Sequence, residues 1–170
     1  QRIINRKGEL VTDICFKTIW YDDPYLLQCD DKAIIIDEKG KVIKSFSDVK
    51  KIERRYNMLE IHLNNGQMGY VDPKTGNWIL NPNYISIIPI KKNNYVKKRL
   101  FWVVYPDDEL YEWFLVNENG TQVFHFGFEH AAFAGDADIT VFQSKGKFGL
   151  LKIDYSLALE PIYDYIGRGV

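Results

Sequence analysis

A short polar turn recurs along this chain and constrains the fold more than any other feature. Asn5–Glu9 reads NRKGE, Asp37–Lys41 reads DEKGK and Asn117–Thr121 reads NENGT. Asn or Asp at the first position caps the turn backbone, and Gly at the fourth accepts a positive φ without a Cβ clash. Between two strands, this sequence makes a hairpin with a glycine bulge. Asp72–Asn77, DPKTGN, is the same turn lengthened by one residue, with Pro73 pre-setting φ at the first corner. A last copy, KIDYSL, keeps Asp154 and has Ser156 where Gly is expected.

The turn positions Gly8, Gly40, Gly76, Gly120 and Ser156 are separated by 32, 36, 44 and 36 residues. A period in this range marks stacked supersecondary units, none of which can bury its apolar face alone. Apolar strands flank the turns: Ala33–Asp37, Met68–Asp72, Trp113–Asn117 and Phe148–Asp154 before, and Glu9–Phe16, Lys41–Phe46, Asn77–Leu80, Thr121–Phe126 and Leu157–Glu160 after. A third strand precedes these at Tyr25–Cys29, Met58–Leu63 and Asp138–Gln143. An aromatic follows the turn at Phe16, Tyr84, Phe128 and Tyr163. Short strands at this spacing predict an all-β fold. Only Ser47–Asn57 has helical spacing, with Val49, Ile52 and Tyr56 on one face and Ser47 as a cap.

A second motif joins the strands. Asn65-Gly66 is a strong two-residue hairpin turn and Lys145-Gly146 a weaker one. Gly69 and Gly149 follow inside strands, where a missing side chain lets a neighbouring aromatic lie across the backbone. The stretches Gly66-Gln67-Met68-Gly69-Tyr70 with Gly76 and Tyr84, and Gly146-Lys147-Phe148-Gly149-Leu150 with Pro161 and Tyr163, resemble the WG-repeat (KWG-repeat) family of bacterial proteins. Met68 and Phe148 stand where that family carries its eponymous Trp. The resemblance implies a β-repeat architecture and an interaction role, and it carries over no catalytic residue.

The expected fold is one all-β domain over residues 1–170, with about five tandem three-stranded antiparallel hairpin units. They stack as an open curved array, or alternatively close into a small propeller-like ring. The long spacing before Gly120 predicts an inserted hairpin over 91–116.

Charge excludes some partners. Twenty-two Lys plus Arg against 23 Asp plus Glu give a net charge of −1, so no overall field favours nucleic acid or an anionic membrane. Apolar runs are too short for a membrane-spanning helix. The start at Gln1, without Met, predicts a processed or truncated chain; with the family resemblance it points to a bacterial envelope or secreted location, the cytoplasm being the alternative. Cys15 and Cys29 fit neither a disulfide framework nor a zinc site. They read as two small buried hydrophobes or as one bridge between neighbouring strands.

Catalytic signals are sparse. His62 in MLEIHL alternates with apolar neighbours and is expected to face solvent. His125 sits in a similar setting, and His130 follows Glu129. None has metal-ligand spacing. Gly135–Asp138, GDAD, lacks the oxygens of a calcium loop, and no nucleophile motif or phosphate loop occurs. The expectation is a non-catalytic protein without metal or cofactor. Its partner would be a protein or carbohydrate. The surface proposed for it is one face of the array or the 91–116 hairpin, where Tyr95, Trp102, Tyr105 and Trp113 mix with Lys97, Lys98 and Arg99. The alternative is an enzyme, or an accessory domain of one, with buried carboxylates or a histidine converging between units.

Overall fold

The computed structural model describes residues 3–4, 10–12, 18–20, 25–55, 57–90, 100–109, 111–129, 139–152 and 154–166. Every regular element among them is a β-strand, as the turn spacing predicts. The chain divides into two compact units, Gln1–Tyr84 and Ile85–Val170.

In the first unit, β1 (Ile3–Ile4) pairs with β2 (Leu10–Thr12). Sheet I follows, with β3 (Thr18–Trp20), β4 (Tyr25–Cys29), β5 (Lys32–Ile36) and β6 (Val42–Phe46) side by side in chain order. Sheet II repeats that order with β7 (Val49–Arg55), β8 (Met58–Leu63), β9 (Met68–Val71) and β10 (Trp78–Tyr84). The second unit holds sheet III, of β11 (Ser86–Pro89), β12 (Leu100–Val104) and β13 (Phe114–Asn117), and sheet IV, of β14 (Ile139–Ser144), β15 (Lys147–Lys152) and β16 (Leu157–Tyr163). Neighbouring strands are antiparallel throughout, and none of these sheets closes into a barrel. Sheets I and II thus carry one strand more than the three expected.

The extra strand of sheet II is the segment with helical spacing. Val49 pairs with Leu63 but Lys51 with His62, so β7 holds one surplus residue at a bulge. A bulge turns the period of two into three for one step. Val49 and Ile52 therefore point to the same core while the backbone stays extended. The spacing that mimics a helix is a bulged strand.

The turns behave as their residues dictate. Asp37 Oδ1 accepts from the backbone N–H of Lys39 and Lys41, each at 2.9 Å, and Gly40 takes φ 82°. Asn117 does the same for Asn119 and Thr121. In the last turn the sequence reading is one residue off. Tyr155, not Ser156, holds the left-handed position, with φ 62° and its N–H on the Lys152 carbonyl. Lys152 occupies the capping position and has no acceptor, so Asp154 caps Ser156 N–H instead, at 2.9 Å.

All four sheets share one register. The second and third strands of sheets I to III meet at Leu26 and Ile35, Glu60 and Tyr70, and Trp102 and Leu115, and the first and second strands of sheet IV at Val141 and Leu150. Two residues along, an aromatic closes the row: Phe46 opposite Ala33, Tyr84 opposite Met68, Phe128 opposite Trp113 and Tyr163 opposite Phe148. The side of each sheet bearing these residues is its leading face. In the first unit the leading face of sheet I (Leu26, Ala33, Ile35, Phe46) packs on Ile52, Leu59, Ile61 and Val71 of sheet II. In the second, Trp102, Leu115 and Phe128 pack on Phe142 and Leu151 of sheet IV. Each Leu, Ile, Val or Phe among them removed from water contributes about 1.5–3 kcal/mol.

A side-chain amide fastens the first of these interfaces. Gln28 donates from Nε2 to the Lys50 carbonyl at 2.9 Å and accepts the Ile52 N–H at 3.3 Å. It supplies the peptide-like partner that the bulge of β7 leaves out. An acidic residue entering the next sheet grips its hairpin tip: Asp48 accepts from Asn64 Nδ2 at 2.9 Å, and Glu129 from Gly146 N–H at 2.6 Å.

The strand glycines are steric in origin. A Cβ on Gly149 would stand 2.5 Å from the Phe142 ring, as the aromatic-over-glycine expectation requires, whereas on Gly69 it would meet the Leu80 carbonyl oxygen of β10 at 2.5 Å. Cys29 ends β4 half-buried, and Cys15 lies outside the described residues. No helix among the described residues is long and apolar enough to cross a membrane.

Candidate functional site

Of the aromatic and basic residues expected to form a binding hairpin, Tyr95, Lys97, Lys98 and Arg99 lie outside the described residues. Trp102 is not on the surface. It is 0% exposed, edge-on to Phe128 with ring centroids 4.8 Å apart, because Phe142 and Leu151 of sheet IV pack on this side of sheet III. Its buried Nε1 has no hydrogen-bond partner among the described residues. Trp113 is half-buried and bridges Phe128. Tyr105, also half-buried, packs edge-on against Phe114 at 5.4 Å. Leu100–Val104 and Phe114–Asn117 pair with each other as the second and third strands of sheet III. Of the turn and joint residues, Gly8 lies outside the described residues, and Gly40, Gly66, Gly76, Gly120 and Gly146 all have positive φ.

A polar cluster that the sequence reading missed occupies the leading face of sheet II. Lys51, Glu53 and Arg55 alternate along β7, Glu60 and His62 along β8, and Tyr70 stands on β9. Alternate residues share a face of a strand, and the ladder sets Lys51 opposite His62, Glu53 opposite Glu60, and Glu60 opposite Tyr70. The period-two pattern K-x-E-x-R beside E-x-H, with Ile52, Leu59 and Ile61 between, is the sequence signal for it.

Glu60 is the centre of the cluster and is buried. The Tyr70 hydroxyl donates to its Oε2 at 2.5 Å, and His62 Nε2 lies 2.7 Å from Oε1. Facing a carboxylate oxygen, Nε2 carries the proton. Arg55 Nε stands 3.5 Å from Oε2, and Lys51 Nζ 2.6 Å from Glu53 Oε1. His62 thus leans on Glu60 rather than pointing freely into solvent, because a buried carboxylate without donors is costly. The Lys51 hydrogen bond, reinforced by the charges of Lys51 and Arg55, holds the Glu53 carboxyl below the usual carboxylate range.

Glu53, Glu60 and His62 offer donor atoms within 4.8 Å of one another, close enough to converge on a cation. Two carboxylates are nevertheless matched here by two cations, Lys51 and Arg55. A dication would have to displace them, so the cluster reads as a closed ion-pair and hydrogen-bond network. His125 is exposed, with its ring edge-on to Phe126, and His130 lies outside the described residues.

The leading face of sheet IV differs from the other three. Leu26, Glu60 and Trp102 are 1%, 6% and 0% exposed, whereas Val141 at the same register is 45% exposed. Phe46, Tyr84 and Phe128 are buried, and the equivalent Tyr163 is exposed. Ile139, Leu159 and Ile162 are also exposed on this sheet, with Tyr165 just beyond it. Gln143 takes the register place of Gln28, opposite Phe148 as Gln28 is opposite Ala33.

No family model matches this chain, and no curated protein matches it. Among solved structures, the computationally designed Ika4 protein aligns over 90% of this chain and 98% of its own, at 13% identity and a TM-score of 0.37. BamB from Moraxella catarrhalis aligns over 88% of this chain at 10% identity and a TM-score of 0.40. The designed Ika8 protein aligns over 89% of it at 15% identity and a TM-score of 0.40. The chain spans 50% of the BamB chain and 52% of the Ika8 chain. Likeness at this level carries no argument about function.

Proposed function

We propose that this chain is a non-catalytic interaction module of the WG-repeat type, which binds a protein partner through the leading face of sheet IV. The observation that supports the reading is the exposure of Val141 at a register position buried in the other three sheets. Exposed apolar surface that is contiguous on one sheet marks an interaction site rather than scatter. On this reading the surface is a face of the repeat and not the aromatic strands around Trp102.

The competing reading, an enzyme or its accessory domain, draws on one observation, the convergence of Glu53, Glu60 and His62 with Tyr70. Comparing three immobilised proteins in extracts of the source cells tests both. Wild type and Glu60→Gln are expected to retain a common partner that Val141→Lys loses. Retention that depends on Glu60 and ignores Val141 would move the function to sheet II, and substrate screening would follow.

A further inference from the structure

We infer that the leading face of sheet IV is a self-association surface, covered in solution by the same face of a second copy of this chain. This rests on the interaction-module reading and names its partner.

In the first unit, the leading face of sheet I is covered by another antiparallel sheet presenting Ile52, Leu59, Ile61 and Val71. Those residues lie on the side of sheet II opposite Glu60 and Tyr70. The sheet IV face therefore shares the aliphatic chemistry of this interface and not its pairing of faces. Its central row, Val141, Leu150 and Leu159, is aliphatic across all three strands. The polar cluster of sheet II has no counterpart here: Glu60 and Tyr70 give way to Val141 and Leu150. A second copy presents the same aliphatic row.

The face is also compatible with its own two-fold image. An axis across the strands at Leu150 sets that residue, Val141 and Leu159 each over its counterpart. Lys152, the one charged side chain in these rows, lies two residues from Leu150, as does Phe148 on the other side. The same rotation therefore sets each Lys152 over the partner's Phe148, a cation above an aromatic face, and keeps the two ammonium groups apart. Sheets packed this way keep their strands nearly aligned. Three strands of six or seven residues span roughly 14 by 20 Å, and with side-chain relief that hides at most roughly 1,000 Å² in total, the bottom of the range for a specific interface. An interface of this size fits a weak, reversible dimer.

Sedimentation equilibrium of the whole chain, from about 5 to about 500 µM, reads the outcome directly. The weight-average mass is expected to rise toward twice that of the monomer. Val141→Lys and, separately, Leu159→Lys are expected to weaken association at least tenfold. Val42→Lys, at an exposed apolar residue of sheet I, is expected to leave it unchanged. Because Val141 and Leu159 are on the surface, circular dichroism of the variants should match wild type. A monomer throughout, association that ignores both substitutions, or association abolished by Val42→Lys overturns the inference. A monomer whose extract partner still depends on Val141 ends the second-copy proposal and leaves the module reading standing. A monomer with no such partner ends both.

Discussion

The Tyr70 hydroxyl meets Glu60 Oε2 at 2.5 Å across the β8–β9 ladder, and both residues are buried. A hydrogen bond to a charged, buried acceptor contributes more than a neutral one, and its loss leaves part of the carboxylate unpaired. Tyr70→Phe keeps the ring and removes only the donor. It is expected to cost about 1.5–3 kcal/mol, read as a lower urea midpoint with an unchanged slope. A midpoint equal to wild type would mean that Arg55 alone satisfies Glu60 Oε2.

Gln28 fastens sheet I to the bulge of β7 through both ends of its amide. Gln28→Glu keeps the acceptor for Ile52 N–H but turns the donor into an oxygen facing the Lys50 carbonyl. A loss of about 1–3 kcal/mol is expected, with faster amide exchange at Ile52. Unchanged protection of that amide would show that the bulge needs no side-chain bond.

Two glycines separate space from conformation. Gly69→Ala must displace the Leu80 carbonyl, because its Cβ would lie 2.5 Å from that oxygen. Gly66→Ala meets nothing within 4 Å but keeps φ 88°. The first is expected to cost about 2–3 kcal/mol through overpacking, the second about 1 kcal/mol through the left-handed backbone. Reversed magnitudes in thermal melts would place the strain in the turn rather than in the sheet.

Tyr155 sets backbone against packing. Glycine at φ 62° would relieve about 1 kcal/mol of backbone cost. The Tyr155 ring, however, is buried in the second unit, 6.4 Å from Trp102. Removing a buried aromatic costs about 3–5 kcal/mol, so Tyr155→Gly is expected to destabilise. A variant that melts above wild type would refute the ranking.

Lys51 lowers the Glu53 pKa, so folding favours the deprotonated carboxylate. Its contribution is complete above the unfolded value of about 4.3 and disappears as pH falls through the lower folded value. The Lys51 side chain is mostly exposed, which limits the effect to within about 1 kcal/mol. Lys51→Met should raise the Glu53 midpoint in a carboxyl NMR titration. The stability gap to wild type should then close in acid. A gap independent of pH would assign the Lys51 effect to packing of its stem.

Local chemistry was legible in the sequence wherever it depends on a few adjacent residues. The Asp37 and Asn117 turns, the Asn65-Gly66 joint and the strands around them follow from capping, positive φ and alternation. These settle an all-β chain of tandem antiparallel sheets. Tertiary structure decided what depends on a neighbour. Lys50 became a bulge because Gln28 of another sheet completes its bonding, so a helical spacing resolved into a strand. Trp102 went into the core and Val141 to the surface although both hold one register position, since the sequence does not say which face is covered. Glu60, His62 and Tyr70 met only when β8 and β9 came into register. Periodicity is written in the order of residues, but burial is a property of what packs on top.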